Sequence, residues 1–114
     1  MESETTRQQK VSRQIQKDLA EIIRARGMTA YDGAMVTVSG VKISSDLAMA
    51  KVYVSIFPSA KAKDVMQRLQ DETSRLRGEL GRRVAKQLRI VPELAFYLDD
   101  SLDYVEHIDE LLKL

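Results

Sequence analysis

At 114 residues, of which 44% are hydrophobic, the chain has the length and apolar content of one domain with a single core, predicted to span residues 1–114. It contains no cysteine, which excludes disulfides and thiolate metal sites, and its polar N-terminus and short apolar runs fit neither a signal peptide nor a membrane span. We therefore expect a cytoplasmic protein without a membrane partner. The formal net charge of +1 means that any affinity for a polyanion must come from the distribution of the charges.

The first element is predicted to be an amphipathic helix from Thr6 to Arg26. Apolar residues recur there at spacings of three and four, at Val11, Ile15, Leu19 and Ile22. The opposite side of this helix carries Lys10, Arg13, Lys17 and Arg24. Residues 27–34 have the composition of a turn, and we expect them to form an exposed loop.

Two strands are predicted next. Residues 35–43 and 48–57 are rich in β-branched side chains that alternate with polar ones, and the short segment 44–47 between them fits a hairpin connection. An antiparallel pair follows from this arrangement. Gly40 interrupts the alternation of the first strand and suggests a β-bulge or a close approach of the backbone.

The second half is predicted to contain two helices, a strand and a last helix. Residues 62–88 have a helical apolar pattern, but Gly78 and Gly81 each cost about 1 kcal/mol relative to alanine in a helix, so a kink or break is expected there. Residues 93–98 read as a third strand, Asp99 and Asp100 as a turn with helix N-caps, and 101–114 as a short C-terminal helix. The predicted fold is α+β: a three-stranded sheet covered on one face by helices, with a core of about residues 6–100.

Charge is strongly segregated in this half. Residues 75–89 contain six cations and one acid, Glu79, whereas residues 90–114 contain seven acids and one cation, Lys113. On a continuous helix Arg68, Arg75, Arg82, Lys86 and Arg89 would form one stripe. A solvated helix face is the alternative, but such a face more often carries paired opposite charges at a spacing of four. Arginine also matches phosphate geometry.

We therefore predict an RNA-binding surface. Arg77 and Arg83 project elsewhere on a continuous helix, and a kink would bring one of the two round to this surface. The predicted residues are Lys10, Arg13, Lys17, Arg68, Arg75, Arg82, Arg83, Lys86 and Arg89.

The order αββααβ is that of the type II KH RNA-binding fold, and three stretches resemble the ribosome-binding factor A family. They are SRQIQKDL at residues 12–19, VTVSGVKISSDLAMAKVYVS at 36–55, and LRIVPELAFYLDDSLDY at 88–104. The resemblance implies a protein that is not an enzyme and needs no cofactor. It would bind the immature small (30S) ribosomal subunit, contacting 16S ribosomal RNA during late maturation and cold adaptation. It further implies release assisted by a GTPase. Nothing in the sequence requires more than a monomer.

The position of the junction between the two middle helices stays open. KH domains hold the nucleic-acid backbone with a GxxG loop, and Gly78-Glu79-Leu80-Gly81 fits that pattern, although Glu79 would place a negative charge beside a phosphate. Glycines at a kink or a tight helix crossing are the alternative. The family's own Ala-x-Gly kink would fall on residues 72–74, which contain neither alanine nor glycine.

The remaining candidate residues have simpler interpretations. His107 is expected at the surface, and the acids near residue 100 are expected to cap the last helix, because the calcium-loop spacing and its glycine are absent. Tyr53, Phe96 and Tyr97 are assigned mainly to the core or its rim rather than to base stacking. The alternative function is a protein-interaction adaptor that docks through the acidic last helix. An enzyme would need a nucleophile, base or metal arrangement that the sequence does not offer.

Overall fold

The computed structural model describes residues 6–88 and 90–99 of the chain, so Arg89 and the predicted C-terminal helix at 101–114 lie outside the described residues. The elements in order are α1 (Thr6–Arg26), β1 (Met35–Ile43), β2 (Met49–Phe57), α2 (Ala62–Asp71), α3 (Thr73–Val84) and β3 (Glu93–Leu98). Short 3₁₀ turns at Met28–Tyr31 and Ser59–Lys61 precede β1 and α2. The predicted order αββααβ and the α+β fold class are confirmed.

The three strands form one sheet in the order β1-β2-β3. β1 and β2 pair antiparallel, as predicted, while β3 pairs parallel to β2 after the chain has crossed over through α2 and α3. The register of the hairpin shifts between Val38 and Gly40, which confirms the irregularity predicted at Gly40. The sheet therefore has β1 and β3 as its edges and β2 at its centre.

The core lies between one face of the sheet and the helices. α1 packs against β1 and α3, and α2 packs against β3. Alternate residues of the strands, such as Val52, Val54 and Phe96, point into this layer and are almost fully buried. On the helices, the apolar stripe of α1 and the leucines of α3 meet them, with Ile15, Leu19, Leu76 and Leu80 all at 0% exposure. Within residues 6–88 and 90–99, no helix packs on the opposite face of the sheet, which we call the open face.

The helix junction lies at Glu72, between α2 and α3, and the break expected at Gly78 and Gly81 is wrong. The Thr73 hydroxyl donates to the carbonyls of Leu69 and Gln70 in the last turn of α2. Both glycines are helical residues of α3. Burial of the leucines on this helix outweighs the propensity cost of the glycines, since each buried aliphatic side chain contributes about 1.5–3 kcal/mol.

Gly81 has a packing role that explains its presence in a helix. A Cβ atom built at this position would lie 3.2 Å from Cγ2 of Val91, so glycine lets the segment before β3 approach the helix closely. A Cβ at Gly78 would meet nothing within 4 Å. Gly81 therefore allows the segment before β3 to pack closely on α3. Residues 78–81 are helical and do not form a GxxG loop.

The sequence predicts an exposed loop at residues 27–34. The structure instead has a folded turn there, which contains a buried aromatic residue. Gly27 and Gly33 both have φ of +79°, and Asp32 has φ of +56°, so three residues of this segment adopt the positive φ that glycine tolerates best. Tyr31, between the glycines, and Ala34, directly after the second, are each 1% exposed. A single aromatic residue has no periodicity, which is why the pattern did not reveal it.

Candidate nucleic-acid interface

α1 and α3 lie side by side and antiparallel, joined by two sets of ion-pair contacts. Arg83, near the end of α3, donates to Glu21 of α1 with Nη1 and Oε2 2.8 Å apart. Arg26, at the end of α1, forms ion pairs with Glu72 at the start of α3 and with Glu79 about two turns later, the latter at 3.4 Å. These contacts set the two helices in register, so that their solvent-facing sides form one surface.

Exposed cations cover this surface. On α1 they lie opposite the buried stripe, and on α3 and the turn after it they recur on the side that faces away from the sheet. We call this set the basic plate: Lys10, Arg13, Lys17, Arg24, Arg75, Arg82 and Lys86. Across residues 6–88 and 90–99, none of these side chains takes part in an ion pair.

The acids near the basic plate already have partners within the protein. Glu21 pairs with Arg83, and both Glu72 and Glu79 pair with Arg26. Asp18 is buried and accepts a hydrogen bond of 2.8 Å from the Gln14 side chain. The acids therefore do not cancel the charges of the plate, and its cations are left to attract an external anion.

Arg26 forms the centre of a partly buried cluster below the plate. Its side chain is only 15% exposed. Burial alone would lower its pKa, but the charges of Tyr31, Glu72 and Glu79 outweigh burial and raise it, so Arg26 stays cationic. Burial also raises the pKa of the Tyr31 hydroxyl, which the Arg26 charge partly offsets. The cluster links the end of α1, the turn before β1 and the α2–α3 junction.

Glu79 is accounted for by the same cluster. In a GxxG loop its carboxylate would repel a phosphate, but in α3 it turns toward Arg26 and away from the solvent-facing cations. The negative charge that argued against phosphate binding at this segment is thus part of the internal structure of the protein.

Some predicted residues have internal partners instead. Arg68 donates to the carbonyl of Ala30 and lies 3.6 Å from Asp32, so it stabilises the turn before β1. Arg83 is held by Glu21. Because the helix breaks at Glu72, the stripe that a continuous helix would have formed from Arg68 to Lys86 is interrupted. Arg89 lies outside the described residues.

Arg77, one of the two residues that a kink would bring to the predicted surface, instead stabilises the segment that leads into β3. Its Nε donates to the carbonyl of Pro92 at 3.0 Å, and its Nη2 donates to that of Val91 at 2.6 Å. Arg24 was recognised on the exposed side of α1 but was not included in the predicted surface, and the helical spacing that places Lys17 there also places Arg24 there. The plate thus keeps six of the nine predicted residues and gains one.

Other kinds of site find no support in the described part of the chain. Among those residues, no three His, Asp or Glu side chains come together as ligands for a metal ion. None of the described helices is both long and apolar enough to cross a membrane.

Comparison with known proteins supplies an independent line of evidence. A family model described as ribosome-binding factor A matches residues 7–112. A ribosome-binding factor A from Flavobacterium johnsoniae is 44% identical over 110 residues, which covers 96% of this chain and 85% of the relative.

Solved structures agree with this result. The crystal structure of ribosome-binding factor A from Thermus thermophilus superposes with a TM-score of 0.68 at 28% identity, covering 80% of this chain and 94% of that one. A homology model of the Thermus thermophilus factor, fitted into a cryo-EM map of its complex with the 30S subunit, gives a TM-score of 0.64 at 29% identity. That alignment covers 78% of this chain and 91% of the other.

Proposed function

Because the chain belongs to the ribosome-binding factor A family, we propose that it is a ribosome biogenesis factor that binds the immature small (30S) ribosomal subunit by contacting 16S rRNA. We assign this activity to late maturation and cold adaptation, in the cytoplasm. The observation that carries the proposal is the basic plate, whose cations form no ion pair within the described part of the chain, where the neighbouring acids Glu21, Glu72, Glu79 and Asp18 have internal partners. The related factor that has been fitted into a 30S complex supports the choice of partner.

The plate suits the phosphate backbone of folded RNA. Its arginines can donate two parallel hydrogen bonds to one phosphate, and its lysines add point charges on flexible stems. Each phosphate neutralised releases counterions, so binding is expected to weaken steeply as salt rises. The ion pairs between α1 and α3 hold the cations on a rigid support, which reduces the entropy lost on binding.

Binding and positioning account for the whole activity in this proposal. The protein acts as one KH-like domain and as a monomer, performs no catalysis and needs no cofactor. It leaves the subunit on maturation with the help of an assembly GTPase.

The test compares two charge reversals of equal size. R82E/K86E reverses two cations of the basic plate, and K61E/K63E reverses two exposed cations at the start of α2, outside the plate. Each changes the formal net charge from +1 to −3. Purified variants are mixed with immature small subunits and separated on sucrose gradients. We expect R82E/K86E to lose subunit binding by at least tenfold and K61E/K63E to remain close to wild type. Equal binding by both variants would overturn the proposed surface.

A further inference from the structure

The open face of the sheet carries aromatic and basic residues that the basic plate does not use. Side chains that point away from the helices include two exposed apolar ones that are register partners at one end of the sheet, Met35 at 54% and Phe57 at 58% exposure. Phe96 faces the core, as expected, but Tyr97 is 45% exposed on the open face. Exposed apolar and aromatic residues grouped on one face mark an interaction surface more often than a requirement of the fold.

The two tyrosines of this face form a pair beside an empty position. Tyr53 on β2 and Tyr97 on β3 are register partners, and their ring centroids lie 5.7 Å apart with the planes inclined at 31°. On its other side Tyr53 faces Gly40 of β1. Gly40 has no side chain of its own, and a Cβ at this position would meet nothing within 4 Å. The residue opposite Tyr53 on β1 therefore does not cover the ring, and Tyr53 stays partly exposed.

Two lysines form the next row of the same face. Lys42 and Lys51 are direct partners across β1 and β2, two residues along from the tyrosine row. Like charges placed directly opposite each other destabilise a sheet. Within residues 6–88 and 90–99 neither lysine forms an ion pair. An anion placed between them would turn this repulsion into attraction.

The acid nearest to this row does not compensate the lysines. Glu93 begins β3, and its carboxylate lies 3.8 Å from the guanidinium of Arg77. On the far side of the tyrosines the next row is polar, with Thr37 opposite the buried Ser55, and the acid Asp99 follows β3 beside it, where its backbone N–H donates to the carbonyl of Val54. The face therefore combines rings for stacking with a pair of cations on one side, a set that fits nucleotides better than an apolar peptide.

We propose that this open face is a second RNA-binding surface, which takes a single-stranded segment by stacking bases on Tyr53 and Tyr97 while Lys42 and Lys51 hold its phosphates. The inference rests on the proposed function, since it assigns that single strand to the same ribosomal RNA. The basic plate lies on the helix layer and the tyrosines lie on the opposite side of the sheet. The protein would thus contact folded RNA on one side and an unpaired segment on the other.

The test uses the full-length protein and an unstructured ten-nucleotide RNA, with binding followed by fluorescence anisotropy. Y53L/Y97L removes the rings while keeping apolar side chains, and Y53F/Y97F is the matched control that keeps them. Stacking of one base corresponds to a change in affinity of between about fivefold and 150-fold. We expect the leucine pair to lose at least tenfold and the phenylalanine pair to stay within about threefold, with closely similar thermal melts.

Three results would count against this assignment or against the proposal on which it rests, and they can be told apart. If the leucine pair binds the oligonucleotide like wild type, the sheet face is not the single-strand site. The same holds if the leucine and phenylalanine pairs weaken binding equally, because the rings are then not required. If R82E/K86E still binds small subunits normally, the proposed function of the plate fails, whatever the oligonucleotide shows.

Discussion

The helix side and the sheet side of this protein differ in how their charges are partnered. On the helix side the acids form internal contacts, such as the ion pair of Glu79 with Arg26. Within the described residues, the cations of the basic plate therefore have no ion-pair partner. On the sheet side the described residues include one pair of cations, Lys42 and Lys51, next to exposed aromatic and apolar side chains such as Tyr97 and Phe57. The two proposed surfaces therefore differ in the number of cations that lack an ion-pair partner among the described residues, rather than in total charge.

The largest effect is expected from breaking the cluster that supports the helix side. R26M leaves Glu72 and Glu79 without their cation in a partly buried site. We expect a loss of roughly 1–2 kcal/mol in the free energy of unfolding, less than for a fully buried pair because both carboxylates reach solvent. Thermal unfolding measures it, with a decrease in Tm of at least about 4 °C. R24M, two residues earlier and exposed, is the control and should change stability by less than about 0.5 kcal/mol.

The salt dependence of RNA affinity should differ between variants of the basic plate and variants of the open sheet face. Removing two phosphate contacts with R82E/K86E is expected to reduce the slope of log affinity against log salt by about 1.4–1.8. Y53L/Y97L should weaken oligonucleotide binding without changing the slope, because stacking releases no counterions. Titrations over a series of potassium chloride concentrations test this. A change in slope with the tyrosine variant would mean that the sheet face binds mainly through charge.

A smaller effect is expected from the two glycines of α3. G78A adds a methyl group into open space and gains helix propensity, so we expect it to stabilise the protein by up to about 1 kcal/mol. G81A should gain less or lose stability, since its Cβ would press on Val91. Chemical denaturation of the two variants gives the difference. Destabilisation by G78A would argue for a loop at this position instead of a helix.

The smallest change in stability is expected from reversing the charge of one of the two paired lysines in the sheet. K51E replaces a like-charge pair with an opposite pair across β1 and β2, so we expect it to stabilise the fold by a few tenths to about 1 kcal/mol. The same change should weaken oligonucleotide binding. A gain in stability together with a loss of binding would show that the repulsion between Lys42 and Lys51 lowers stability but that both lysines are needed to bind the oligonucleotide. Unchanged binding would remove the lysines from the proposed site.

Local patterns predicted the elements well but not the partners of individual side chains. The bounds of α1, β1 and β3 follow from apolar spacing and strand alternation, and the residues of the plate on α1 follow from the helical period. The junction at Glu72 depends on the Thr73 hydroxyl and on Arg26, which is 46 residues away in sequence. No local pattern contains that contact.

Tertiary contacts also determine which of the other arginines remain available at the surface. Arg68 and Arg83 have the same helical spacing as the cations of the plate. Arg68, however, bonds to the turn before β1, and Arg83 forms an ion pair with Glu21. The accessibility of Tyr53 depends on its register with Gly40, which only the paired strands define. Spacing thus identifies which residues can reach the surface, and folding determines which of them remain available to a ligand.

Lysine reactivity on the bound protein tests the central claim most directly. The complex with immature small subunits is treated briefly with an acetylating reagent, and the modified lysines are quantified by mass spectrometry against the free protein. We predict strong protection of Lys10, Lys17 and Lys86 in the basic plate, with Lys61 and Lys63 as reactive as before. Protection of Lys61 and Lys63 with the plate lysines unchanged would contradict the account.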